Sequence, residues 1–216
     1  MRVLDVGCGV GDDVRAIAEL IGETGRVTGI DSSVAFIEEA RTRGVPSNAS
    51  FAVGDANALP FADASFDAVR AERVFQHLQN PEGAAHELRR VLERDATALL
   101  LDQDWESLSI GGSDPGVSRI VARAYCDRLA NGTAGRQARG LLLRAGFRSV
   151  ETAHLIATPA LPVAFELILQ PAMNAALAGG RIDAEVAKRW LEALLESDRR
   201  GDFYCAVVVV IALAHS

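Results

Sequence analysis

The run Val-Leu-Asp-Val-Gly-Cys-Gly-Val-Gly-Asp-Asp at residues 3–13 concentrates chemistry in a short space. Gly7, Gly9 and Gly11 follow Asp5 in the spacing D-x-G-x-G-x-G, with Cys8 inside the loop. Glycine lets a backbone turn sharply and approach a ligand closely, and a helix starting there presents free N–H groups. A dinucleotide loop wants G-x-G-x-x-G, yet Asp12 stands where the third glycine would fall. Asp12 and Asp13 would also repel a pyrophosphate at the helix start. The loop therefore suits an uncharged or cationic ligand, and Asp5 offers a carboxylate to an ammonium group. The bland alternative is a tight strand-to-helix turn with no ligand.

Two further acidic residues stand at strand ends. Asp31, in Gly-Ile-Asp-Ser, could accept from both hydroxyls of a ribose, leaving Ser32 to cap the next helix. Asp55, in Gly-Asp-Ala-Asn-Ala-Leu-Pro-Phe, could accept from an adenine amino group while the Ala56 N–H donates to a ring nitrogen. Alone, Asp31 could simply cap the next helix, and Gly-Asp-Ala is merely a turn. Their weight lies in standing at consecutive strand ends.

The elements that must position them alternate. Residues 2–6 read as a strand and residues 12–21 as an amphipathic helix. Residues 26–30 are a strand, 32–43 a helix, 49–53 and 66–71 strands. Asn80-Pro81-Glu82 is a helix start running to about residue 93, with Ala84, Ala85, Leu88, Val91 and Leu92 on one face. Residues 97–101 are a buried strand. This rhythm predicts an α/β fold with a parallel sheet covered on both faces. Residues 108–115 then read as a polar loop, 117–129 and 135–144 as helices, and 147–155 as a strand. Helix-rich stretches follow at 159–178 and 183–197, split by Gly179-Gly180. Residues 203–213 close the chain as a strand, buried on both faces through its Val207–Ile211 core. The whole reads as one domain, 1–216, with a helical insertion at 156–200 expected to cover a substrate.

The three strand-end signals together resemble the class I S-adenosylmethionine-dependent methyltransferases. Phe66-Asp67-Ala68-Val69-Arg70-Ala71-Glu72-Arg73-Val74-Phe75-Gln76-His77-Leu78 is similar to the family's fourth strand and the turn after it. Leu142–Val150, centred on Ala145-Gly146-Phe147, is similar to the segment before its sixth strand. The subgroup it resembles makes ubiquinone, menaquinone and secondary metabolites. The resemblance implies a doubly wound, Rossmann-like seven-stranded sheet of order 3-2-1-4-5-7-6 with the last strand antiparallel. It implies S-adenosyl-L-methionine as cofactor, with S-adenosyl-L-homocysteine as product. Contacts are expected from Asp5, Gly7, Cys8, Gly9, Gly11, Asp31, Ser32, Asp55, Ala56, Ala71 and Glu72. The family usually places helices before its first strand, whereas this sequence opens on the strand.

Methyl transfer is an in-line displacement, for which the protein supplies alignment, desolvation and sometimes a base. Candidate bases are Glu72, His77, Asp104 and Glu106, with His77 and Asp104 favoured as catalytic. An imidazole titrates near neutral pH; the structural alternative for His77 is a residue fixing its loop. Trp105 could wall an apolar acceptor or lie in the core under the loop. Arg70 and Arg73 could meet an anionic group or be paired at the surface, and Arg73 is taken as substrate-binding. Asp102 and Asp104 are read as pointing to opposite sides of an extended segment, a poor chelate, so no metal is expected.

Composition narrows the partners. A net charge of −7 argues against a nucleic-acid backbone as the main partner. The run at residues 207–214 falls far short of the roughly 20 apolar residues of a membrane span. Three cysteines without metal spacing, and no apolar leader after the charged start, suggest a reducing, cytoplasmic setting. The expected partner is a small-molecule acceptor; the reading allows a homodimer. Two rival classes stay open: an NAD-dependent oxidoreductase, disfavoured by the glycine spacing, and a protein that binds the cofactor without catalysis.

Overall fold

The computed structural model describes residues 1–216. Its first half follows the predicted alternation closely. Strand β1 (Arg2–Val6) leads through the glycine loop into helix α1 (Asp12–Ile21). Helix α1 starts at Gly11, which holds a left-handed conformation, and buries Val14 and Ala18. Strand β2 (Arg26–Asp31) is followed by α2 (Val34–Thr42), β3 (Ala49–Val53) and β4 (Phe66–Glu72). Helix α2 is capped by Ser33, whose Oγ accepts from the Phe36 N–H at 3.3 Å. The cap expected at Ser32 thus moves one residue, because Asp31 already holds the Ser33 N–H at 2.8 Å. Helix α3 (Pro81–Val91) begins as predicted: Asn80 accepts from the Gly83 N–H at 3.0 Å and Pro81 fills a position that needs no donor.

The strand order is β3-β2-β1-β4-β5-β7-β6, a seven-stranded mixed sheet, with β5 at Leu92–Gly111, β6 at Ser149–Ala157 and β7 at Tyr204–His215. The pairs β1–β2, β2–β3, β1–β4 and β4–β5 are parallel. Val6 lies opposite both Ile30 and Ala71, and Asp31 opposite Val53, so the carboxyl ends of β1 to β4 align. This alignment turns three scattered acidic residues into neighbours.

Strand β5 corrects an expectation. It spans 20 residues and continues where a polar loop was expected from residue 108. Its serines are strand residues: the Ser107 hydroxyl accepts from the Val208 N–H at 2.8 Å. Near its start Asp95 adopts φ 63, and the register against β4 slips between Phe66 and Ala68, which marks a bulge.

The chain divides into two compact units. The first comprises Met1–Asp102, Gln137–Ala153 and Ile211–Ser216; the second comprises Gln103–Arg136 and His154–Val210. In the first, Val3, Val14, Val27, Ile37 and Phe51 pack between the sheet and its helices. Helix α5 (Ala134–Arg144) begins in the second unit and runs into the first.

The second unit contains α4 (Pro115–Asp127), α6 (Leu161–Ala164), a π-helical turn (Phe165–Leu169), α7 (Gln170–Ala178) and α8 (Ala184–Arg200). Its core gathers Trp105, Val121, Tyr125, Leu169, Trp190 and Leu194. The Trp190 indole N–H reaches the buried Ser118 hydroxyl at 3.0 Å. The helical run Leu161–Ala178 has 18 residues and a mean hydropathy of 1.3, enough by length and composition to cross a membrane. Its Leu161, Ala164, Ile168, Leu169, Ala172 and Ala176 are buried in this core.

Candidate functional site

A cleft of about 470 Å³ opens at the carboxyl ends of the first strands, within the usual range for a small-molecule site. Its wall on the β1–β3 side includes Gly7, Asp31, Ser32, Asp55, Ala56 and Phe36; on the β4 side it includes Glu72, Arg73, Val74, Gln76 and His77.

The glycine loop is held from below. The Gly7 and Cys8 N–H groups donate to the Ile30 carbonyl at 2.7 and 3.0 Å. The Gly9 N–H donates to Asp31 Oδ2 at 2.9 Å, while Asp31 Oδ1 takes the Ser33 N–H. One carboxylate therefore ties the loop to the start of α2. Each of its oxygens keeps a lone-pair direction for a further donor. Gly9 has φ +53, and a side chain there would meet no protein atom within 4 Å. Gly7 has φ +71, and a side chain there would collide with Val74, so the loop packs directly on the turn after β4. Gly11 serves the fold instead, since a side chain there would strike Phe51.

Asp55 is exposed at the end of β3, its Oδ1 accepting from the Asn57 N–H at 2.8 Å. Phe36 stands 50% exposed on the same side of the cleft. The sequence reading missed it, because Phe36 stands one turn before the buried Ala40 and reads as part of the apolar face of α2.

Asp5 is 1% exposed, below the loop. Its Oδ1 accepts from Arg70 at 2.9 Å, and its Oδ2 has no hydrogen-bond partner. Burial pushes its pKa up to about 6 even though the Arg70 guanidinium opposes the shift. Arg70 also pairs with Asp13 at 3.0 Å and with Glu72. This settles the open reading of Arg70: it is a half-buried cation shared by three carboxylates. Cys8 and Ala71 are buried, and burial, reinforced by Asp5 and Asp31, raises the Cys8 thiol to about 12. Neither supplies a side chain to the cleft lining.

The turn after β4 is fixed by Asp102. This carboxylate, 1% exposed, accepts from the Phe75 N–H at 3.1 Å and the Gln76 N–H at 3.3 Å. Burial raises its pKa to about 7, against the pull of those two donors. The 3-10 turn Phe75–His77 presents His77 to solvent on the cleft wall, with Gln76 Nε2 at 3.1 Å from His77 Nε2. Gln76 was not singled out from the sequence, where a lone Gln carries no signal.

Residues after Asp102 require correction. Residues two apart on a strand share a face, so Asp102 and Asp104 do not diverge as expected. What separates them is their engagement. Asp104 Oδ2 is gripped by Arg136 through Nε at 2.7 Å and a terminal nitrogen at 2.6 Å, while Glu106 pairs with both Arg136 and Arg123 at 2.8 Å. Both carboxylates are thus engaged by guanidinium groups, and neither lines the cleft. Trp105 is 6% exposed in the core of the second unit, its ring 4.4 Å from that of Tyr125. That is the core placement rather than a pocket wall.

Residues 4–100 match the family described as the methyltransferase domain. Over 218 residues the chain is 36% identical to an uncharacterised 37.1 kDa protein of a Streptomyces fradiae transposon, covering 99% of this chain and 62% of that protein. It is 34% identical over 111 residues to a demethylmenaquinone methyltransferase of Staphylococcus aureus, covering 51% of this chain and 46% of that enzyme. The chain thus spans less than two thirds of the length of either relative. Among solved structures, phosphoethanolamine N-methyltransferase 2 of Haemonchus contortus in complex with S-adenosyl-L-methionine superposes with a TM-score of 0.63 at 19% identity. That match covers 100% of this chain and 48% of the other, and it supports the fold.

Proposed function

Starting from the match of residues 4–100 to the methyltransferase domain family, we propose that the chain transfers a methyl group from S-adenosyl-L-methionine to a small-molecule acceptor. One observation carries this reading. Gly7 of the glycine loop, Asp31, Asp55 and Glu72 line one cleft at the aligned carboxyl ends of four parallel strands.

The residues present suit the cofactor. The space over Gly9 is open, so the loop can be approached by a ligand backbone. The acidic surroundings of Asp5, Asp13 and Glu72 suit a ligand carrying cationic groups and disfavour a pyrophosphate. Asp31 offers acceptors to ribose hydroxyls, Asp55 an acceptor to an amino group on the base, and Phe36 a flat apolar surface for the ring. The bound cofactor supplies the electrophilic methyl group. His77, on the opposite wall, would take a proton from the acceptor.

The acceptor as a small molecule rests on the named relatives and on the excess of acid in the chain, which suits no polyanion. A reducing compartment is supported by three cysteines that are all free and buried.

Calorimetry with S-adenosyl-L-homocysteine and with NAD tests the proposal. We expect binding of the first at one site per chain and none of the second. Failure to bind S-adenosyl-L-homocysteine, or a preference for NAD, would overturn it. Mass spectrometry of ligands carried through purification is an independent check.

A further inference from the structure

Two arginines three residues apart have opposite fates. Arg70 lies within β4, and its guanidinium is shared by Asp5, Asp13 and Glu72. Arg73, just beyond the strand, is 59% exposed on the cleft wall. Its nearest carboxylate oxygen belongs to Glu72 at 3.8 Å, beyond hydrogen-bond distance, and Glu72 is already engaged by Arg70.

The backbone of Arg73 is unusual. It has φ 57, a left-handed conformation that residues with side chains rarely adopt. Such a conformation persists only where its surroundings impose it. Here they do. The Arg73 N–H donates to the Leu101 carbonyl at 2.7 Å, and the Gln76 amide donates to the Arg73 carbonyl at 3.2 Å. Asp102 accepts from the Phe75 and Gln76 N–H groups of the turn, and Val74 abuts Gly7. A buried carboxylate, a side-chain amide and a strand carbonyl thus converge to keep an exposed arginine in a strained pose where the glycine loop meets the turn. A glycine would fit that backbone without strain, so the arginine side chain is what the strain preserves.

We infer that Arg73 is the anion-recognition residue of the cleft, its guanidinium receiving a carboxylate or phosphate group in bidentate geometry. This deepens the proposed function and rests on it. The group has two sources: the carboxylate of the cofactor's amino-acid end, or an anionic substituent on the acceptor. The other titratable groups on this wall are Glu72 and His77, and Glu72 beside Arg73 sets an acidic and a basic group at adjacent positions. That arrangement suits a zwitterionic amino-acid end or an anionic acceptor lying beside the cationic cofactor.

The test compares wild-type protein with Arg73→Gln and Arg73→Lys by calorimetry. The probes are S-adenosyl-L-homocysteine, 5′-methylthioadenosine, which lacks the amino-acid end, and benzoate and inorganic phosphate added to the homocysteine-loaded protein. If the cofactor is the source, Arg73→Gln weakens S-adenosyl-L-homocysteine about 10- to 100-fold and leaves 5′-methylthioadenosine unchanged. If the acceptor is the source, both nucleosides bind as before, and benzoate or phosphate binds the loaded wild type but not the loaded variant. In either case Arg73→Lys restores part of the loss. Equal weakening of both nucleosides, or no change in any probe, overturns the inference. A wild type that binds neither nucleoside instead overturns the proposed function, so the two failures are distinguishable. Circular dichroism of each variant identifies one that has simply failed to fold.

Discussion

The acidic residues of the two units are handled in different ways. In the second unit Asp104 and Glu106 are answered by guanidinium groups, Arg136 and Arg123, and their charge is spent on holding the unit together. In the first unit Asp31 and Asp55 accept mainly from backbone N–H groups. A backbone donor orients a carboxylate without cancelling its charge, so these groups remain available to a ligand. The position of an acidic residue in a strand therefore says less about its role than the kind of donor that meets it. Asp5 lies between the two cases, with one oxygen on Arg70 and the other without a partner.

This contrast can be broken experimentally. The largest effect is expected in the second unit: Trp105→Ala, which empties a ring from a packed core, should cost about 3–5 kcal/mol of stability in urea unfolding. It should leave the affinity for S-adenosyl-L-homocysteine unchanged. Selective loss of that affinity without loss of stability would return Trp105 to the site. In the first unit the expected pattern is reversed. Gly9→Val should abolish cofactor binding, by at least about 100-fold, because its side chain would fill the space over the loop. Circular dichroism should show a folded protein; an unfolded one would make the glycine structural.

The two buried carboxylates of the first unit offer a pH test. Asp5 and Asp102 titrate at about 6 and about 7 in the folded chain, above the ordinary value of 3.8. The folded state therefore holds these protons more tightly than the unfolded state. Their contribution is fully present at low pH and is lost as pH rises through 6 to 7. Stability should fall by about 2–3 kcal/mol between roughly pH 5.5 and 7.5. Asp102→Asn should flatten most of that slope, and an unchanged slope would show that the burial of Asp102 is not what sets it. The smallest effect is expected for Asp31→Ala, about 1.5–3 kcal/mol in cofactor affinity. Calorimetry showing unchanged affinity would remove Asp31 from the ribose site.

The first unit was legible because its signals are local. Glycine spacing, a Pro after an Asn cap and short apolar runs each report the backbone at their own position, and α1 has the predicted bounds. The sheet order followed from the family resemblance rather than from any such signal. The continuation of β5 was not legible, because its serines and acidic residues look like a loop until their partners, Val208 and Arg136, are known. The same reason explains Asp104: nothing near it in sequence announces an arginine 32 residues on. Phe36 was not legible either, because its i,i+4 spacing from Ala40 reads it as part of the buried face of α2. Nor was the shift of the cap from Ser32 to Ser33, since it depends on which N–H Asp31 takes first.

The three thiols give the molecule a clock. Cys8 belongs to the first unit, while Cys126 and Cys205 belong to the second, and all are buried. A thiol reagent can reach each of them only when the surrounding structure opens, so the labelling rate at each position reads out the free energy of that opening. Burial also raises the pKa of all three, so little thiolate is available to react before opening. Equal labelling rates at Cys8 and Cys205 in rising urea would mean that the chain opens in one event. Unequal rates would resolve two, each timed by a native residue and without an introduced cysteine.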